Sequence, residues 1–253
     1  MWNFPTPTVS TLTKARGRLA SRTSKHTKRQ RDASASISEA VFYGGQKFHG
    51  EPRVLFIDIE TKPIKGYFWP PLYETNVIKV IEGTKILCVS YKWNHEDEIK
   101  VISLPRFRGY KGGVVNDYLL CKELWKLINK ADIIIAHNGD RFDIKKINGR
   151  FFLQGILPTS PYMSIDTLKV ARKFLGLDSN KMGEICEALG IGRKLANRGK
   201  DMWLGCIDGD PQAWKEMEAY NKHDVDLLVE VHMRLMPWAM SKPNKRRAIE
   251  AKI

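Results

Sequence analysis

The sequence predicts an α/β fold: a mixed five-stranded sheet flanked by helices. Two observations point to it. The short continuous apolar runs Val54–Ile57 and Ile133–Ala136 are bounded by polar and turn residues, the pattern of strands buried on both faces. Helical segments then alternate with strands: Asn116–Asn129, Arg141–Gln154, Asp166–Leu175, Lys181–Leu189 and a helix opening at Asp210. The polar turn Asn94–Asp97 joins Ile86–Trp93 to Ile99–Leu104 as a hairpin, and Tyr162–Ile165 supplies a short fifth strand.

Three acidic clusters sit on these elements. Asp58-Ile59-Glu60 closes the first strand, and strand alternation puts both carboxylates on one face. Two carboxylates side by side repel unless a cation or a proton lies between them. A divalent metal answers that need, although a strand emerging into solvent gives the same string. The second cluster, His137 to Asp143, follows the Ile133–Ala136 strand, with Gly139-Asp140 as turn and a helix from about Arg141. Asp143 then lies in a first helical turn, where the helix dipole favours a carboxylate whatever its function. Asn138 is either a cap or part of the site.

The third cluster lies in the last helix. Asp210-Pro211 has the form of an N-cap followed by proline at the first helical position. Ala213, Met217, Tyr220, Asp224, Leu227 and Val231 follow at steps of four, three, four, three and four, one stripe facing the core. Asp224 therefore stands in an apolar row, where an unpaired carboxylate is costly. It is either a site residue or a buried acid paired with a Lys or Arg. His223 points about 100° away and reads as a surface residue.

The chain resembles the DnaQ-like 3′-5′ exonucleases of the ribonuclease H-like superfamily. The resemblance rests on a D-x-E strand at Asp58-Ile59-Glu60, an N-x₃-F-D segment at Asn138 to Phe142-Asp143 and a Y-x₃-D segment at Tyr220 to Asp224. Asp166-Thr167-Leu168 and Leu189-Gly190-Ile191 extend it over roughly residues 53–236. Tyr220 stands where the tyrosine (DEDDy) subclass has its tyrosine, and the similarity is closest to stand-alone phage and bacterial members. It implies two divalent cations, Mg²⁺ or Mn²⁺, held by Asp58, Glu60, Asp143 and Asp224, with Tyr220 orienting the attacking water. It also implies substrate contacts at Thr61, Asn138 and Phe142. The expected activity is removal of nucleoside monophosphates from the 3′ end of single-stranded or frayed DNA. An exoribonuclease and a non-catalytic nucleic-acid-binding module on the same fold remain the alternatives.

Charge is placed unevenly in this chain of net charge +14. Residues 1–49 hold nine Lys and Arg against two acids, and residues 241–253 hold five against one. Little of the excess is left for the middle, so the expected organisation is a basic, disordered arm over 1–49, an exonuclease domain over 50–238 and a basic tail over 239–253. Residues 11–38 carry few large apolar side chains to offset the entropy of ordering. The arm is a candidate for salt-dependent attraction to phosphate backbones, or simply a solubilising extension. Met1 to Pro5, with two aromatics, is a candidate docking motif. Four scattered cysteines suggest a reduced compartment, with neither disulfide framework nor zinc site. With no apolar stretch of spanning length, a cytoplasmic protein of a bacterial cell or phage-infected host is expected, its partners nucleic acid and a separate polymerase or replication protein, with no membrane.

Two connecting segments are candidates for holding substrate. Lys65 to Tyr73 reads as a proline-containing loop with four aromatics, which either stack on unpaired bases or pack against the domain. Arg193 to Lys200 is basic and glycine-bearing, so Arg193 and Lys194 either grip phosphates or belong to a solvated loop.

Overall fold

The computed structural model describes residues 40–43, 46–69, 77–112 and 116–240. The Met1–Pro5 motif, the arm over residues 11–38, Pro70 to Tyr73 and the tail from residue 241 lie outside them. The central sheet has five strands: β3 (Val54–Thr61), β6 (Ile86–Trp93), β7 (Lys100–Ser103), β8 (Ile133–Ala136) and β9 (Met163–Asp166). Their spatial order is β7-β6-β3-β8-β9. β6 runs antiparallel to both β7 and β3, and β8 is parallel to both β3 and β9. The expected mixed five-stranded sheet is thus observed, with the site strand β3 at its centre. Residues 40–49, grouped with the arm by composition, contain the antiparallel pair β1 (Ala40–Tyr43) and β2 (Gln46–His49).

Helices cover both faces. On one, Leu55, Ile57 and Ile134 pack with Leu120 and Leu124 of α1 (Tyr118–Ile128) and Ile147 of α2 (Asp143–Leu153). On the other, Val54, Phe56, Ile133 and Ile135 pack with α3 (Thr167–Phe174), α4 (Met182–Leu189) and α6 (Pro211–Met240). Strand alternation explains the split, since odd and even residues of β3 enter different clusters. All four cysteines are free and buried. Among the described residues, no helix is long and apolar enough to cross a membrane.

Two segments differ from expectation. Lys65–Phe68 (β4) is not a loop: it pairs antiparallel with Val77–Glu82 (β5) in a separate two-stranded ribbon. Its rings do not pack on the domain, since Tyr67 is 60% and Trp69 73% exposed. The β-branched run Val77-Ile78-Lys79-Val80-Ile81 supplies the pairing strand, and the neighbouring prolines obscured it. The basic loop is also followed by a helix the sequence did not reveal, α5 (Lys200–Asp208), with Met202 and Cys206 buried one turn apart.

A buried ionic network ties the helices to the start of β6. Asp117, 1% exposed, accepts from Ile86 N, from Arg150 Nε and Nη2 at 2.8 and 2.7 Å, and from Gln154 Nε2. Removing one partner of such a pair strands the other charge. Asp117→Ala is expected to cost about 3–5 kcal/mol, read as a lower denaturant midpoint with an unchanged slope; a loss under about 1 kcal/mol would mean that water replaces the carboxylate.

Candidate active site

β3 carries Asp58 opposite Ser90 and Glu60 opposite Cys88, with a register shift just after Glu60. β8 ends at Ala136, and the chain then turns sharply. Asn138 adopts φ 63°, and a Cβ on Gly139 would come within 2.4 Å of the Ala136 Cβ, so only glycine fits. The Asn138 amide donates to Asp166 Oδ1 at 2.8 Å, and the same oxygen accepts from Leu168 N at the start of α3. This turn delivers Asp143 to the first residue of α2, 3% exposed, where its Oδ1 accepts from Ile59 N at 3.1 Å. The second cluster is thereby bonded to the backbone between the two acids of the first.

α6 completes the site. Asp210 caps it by accepting from Gln212 N at 2.9 Å, and Ala213, Met217, Asp224, Leu227 and Val231 are buried as the stripe required. Oxygens of Asp58, Glu60 and Asp224 lie within 4.8 Å of one another, and this acidic triad could hold a metal ion. Desolvation, then the Asp143, Glu60 and Asp224 charges, push the Asp58 carboxyl well above the usual carboxylate range. Desolvation raises Glu60 to about 7 and Asp143 to about 7, against the hydrogen bonds from Trp203 and Ile59. The cluster therefore lacks positive charge. Asp224 Oδ1 is moreover buried with no hydrogen-bond partner. Hard oxygen donors, mutual repulsion and an orphaned buried oxygen all suit a divalent cation.

Lys194 supplies part of the missing charge. Its Nζ donates to Asp224 Oδ2 at 2.7 Å and to the Tyr220 hydroxyl at 3.2 Å. Asp224 thus lies beside Asp58 and Glu60 and is also paired with a lysine. Burial opposes the Lys194 charge, but Asp224 and Tyr220 raise its pKa overall. Desolvation, then Asp224, raise that of Tyr220. Arg193 does not enter the cluster, because its guanidinium pairs with Glu187 at the surface. Both residues border a cavity of about 850 Å³ that Asp58, His137, Asn138 and Asn180 also line. Phe142 is 39% exposed beneath the Lys146 ammonium, and Thr61 follows the register shift opposite Ile86. His223 is half-buried rather than a free surface group, with Nε2 2.8 Å from Arg193 O.

Residues 55–236 match the RNase_H superfamily. The chain belongs to that superfamily. Among solved structures, it is similar to the family B DNA polymerase of the hyperthermophilic archaeon Pyrobaculum calidifontis, with a TM-score of 0.55 and 15% identity. The match covers 76% of this chain but only 25% of the polymerase, so this RNase_H superfamily chain corresponds to about a quarter of that structure. A search of curated proteins gives no match.

Two further residues of this RNase_H superfamily site escaped sequence reasoning. Asn221, fully buried, donates from Nδ2 to Asp58 Oδ2 at 2.6 Å. Its signal was present: it lies four residues after Met217 and three before Asp224, a polar side chain beside an apolar stripe. Trp203 Nε1 donates to Glu60 Oε2 at 3.1 Å, and its indole meets the Tyr220 ring edge-on. It could not be found without α5. Trp203→Phe keeps a ring but removes the donor that lowers the Glu60 pKa. The acidic limb of kcat/KM against pH is expected to move up by about one pH unit, with little change on the alkaline plateau. Superimposable profiles would show that the indole only packs.

Proposed function

We propose that the protein is a metal-dependent 3′-5′ exonuclease of the DnaQ-like, DEDDy type, acting on single-stranded or frayed DNA. The observation that carries the reading is the convergence of oxygens of Asp58, Glu60 and Asp224 within 4.8 Å of one another. Asp58, Glu60 and Asp224 would hold one or both divalent cations, Mg²⁺ or Mn²⁺, with Asp143 beside them. When bound, such ions supply an activated water and neutralise charge on the phosphoryl and leaving oxygens. Membership of the RNase_H superfamily supports nuclease chemistry generally.

The side chains have separate tasks. Asn221 fixes Asp58, and Trp203 fixes Glu60. Tyr220 keeps its proton at neutral pH, because its pKa lies above that of an ordinary phenol. Its hydroxyl, accepting from Lys194, can donate to the attacking water and orient it, but cannot deprotonate it. Lys194 brings a cation to the same place, suited to an equatorial phosphoryl oxygen as charge develops. Asn138, Phe142, Thr61 and Arg193 are the remaining substrate contacts of the reading. Similarity to a DNA polymerase supports DNA over RNA and a replication setting.

The test is a time course on a 5′-labelled single-stranded DNA oligonucleotide and its RNA counterpart, with Mg²⁺, with Mn²⁺ and with chelator. A metal-dependent ladder shortening one nucleotide at a time supports the reading, and the faster ladder names the sugar. Binding without product under either metal, by folded protein, would favour a binding module on this fold instead.

A further inference from the structure

The β4–β5 ribbon leaves the sheet directly after the Asp58 and Glu60 pair. Thr61 ends β3, and Lys62 N donates to Lys85 O at 2.8 Å, closing the ribbon's base. The Lys62 ammonium, 3% exposed, pairs there with Glu82. Beyond this base, β4 and β5 pair only with each other among the described residues. A Cβ on Gly66 would meet Lys79 O and Val77 Cγ1 at 2.8 Å, so the two strands approach more closely than a side chain allows. Tyr67 lies opposite Lys79, whereas Phe68 lies opposite Val77. Alternation then places Lys65 and Tyr67 with Lys79 on one face, and Trp69 follows at the strand's end. Tyr67 is 60% and Trp69 73% exposed, and the Lys65 side chain, 3.7 Å from Glu82, is 67% exposed.

Two large rings held in water on a basic ribbon need an occupant. Over residues 62–85, Lys62, Lys65, Lys79 and Lys85 outnumber the two acids, Glu74 and Glu82. Lysine is depleted in protein–protein interfaces, whereas aromatics set among cations are how single strands are gripped without sequence preference. We infer that the Lys65, Tyr67, Trp69 and Lys79 surface is a platform for the unpaired nucleic-acid strand upstream of the bond to be cut. Bases stack on Tyr67 and Trp69, and Lys79 with Lys65 faces the phosphates. The inference rests on the nuclease reading above, which supplies the strand.

The experiment measures anisotropy of a 5′-labelled twelve-nucleotide single strand in chelator, with the parent, with Tyr67→Ala/Trp69→Ala and with Lys79→Ala. Melting curves verify that each variant is folded. The double variant is expected to bind about ten-fold more weakly or worse. Lys79→Ala flattens the slope of log affinity against log salt by about 0.7. If the parent binds and shortens the strand with Mg²⁺ while the double variant binds equally well, the platform is overturned and the nuclease reading stands. If the parent neither binds nor cleaves, the nuclease reading itself fails. Equal binding, together with self-association of the parent that the double variant loses on sedimentation, would overturn the platform in favour of a protein contact.

Discussion

Asp58→Asn is expected to slow metal-dependent hydrolysis by at least about 10³-fold while raising the melting temperature of the chelated protein at pH 8. The two effects share one cause. Asp58, Glu60, Asp143 and Asp224 are brought together with Lys194 as their close cation, so the metal-free fold holds excess negative charge. A carboxyl whose pKa rises on folding binds its proton more tightly in the native state. Its contribution to stability is intact below the unfolded pKa, declines as pH rises and is fully lost above the folded pKa. For Glu60 and Asp143 the window runs from the ordinary carboxylate range to about 7. For Glu60 alone the loss at pH 8 is on the order of 3 kcal/mol. Asparagine removes the charge at Asp58 and keeps an oxygen for Asn221 to bond. Calorimetry in chelator should show the variant melting about 5 °C above the parent at pH 8, with the gap closing at pH 5. Added Mg²⁺ should raise the parent's melting temperature and leave the variant's nearly unmoved. A variant less stable than the parent at pH 8 would mean that Asp58 is a structural acid.

The five strands of the sheet and the three acidic clusters were legible because each rests on local chemistry. The Ile133–Ala136 run is long enough for a buried strand and too short for a helix, and Asp210-Pro211 fixes the phase of the α6 stripe. Phase then determines that Tyr220 and Asp224 face inward. What was hidden depends on partners distant in sequence. Nothing near Asp117 announces that Arg150 and Gln154 will meet it, and nothing near Glu60 announces Trp203, 143 residues later. The ribbon was obscured for a different reason. A strand pair away from the core lacks the one-sided burial that gives alternation its signal, so Lys65 to Trp69 read as loop. Arg193 and Lys194 show the limit of composition: neighbours of the same charge, one bound to a surface glutamate and the other inside the acid cluster.

Lys194→Met is expected to separate two roles that the geometry gives one ammonium. In chelator it leaves both oxygens of Asp224 without a cation, at a residue 2% exposed. Breaking a fully buried pair costs about 3–5 kcal/mol. The Lys194 side chain is 39% exposed, so solvent screening reduces the expected loss to about 1–3 kcal/mol. The same ammonium competes with any metal for Asp224, so the half-saturating Mg²⁺ concentration should fall several-fold in the variant. At saturating Mg²⁺ the competition is gone, and only the lysine's action on the substrate remains visible. There kcat should drop by about 10- to 100-fold, because a cation bonded to Tyr220 stands where phosphoryl charge would develop. Metal titrations of cleavage rate, beside melting curves in chelator, read both effects from the same two proteins. A lower metal requirement with an undiminished kcat would make Lys194 a counter-ion for the acid cluster and nothing more. A lower kcat with an unchanged metal requirement would mean that Asp224 releases the lysine at no cost, and that its contact in the metal-free fold is incidental to the chemistry.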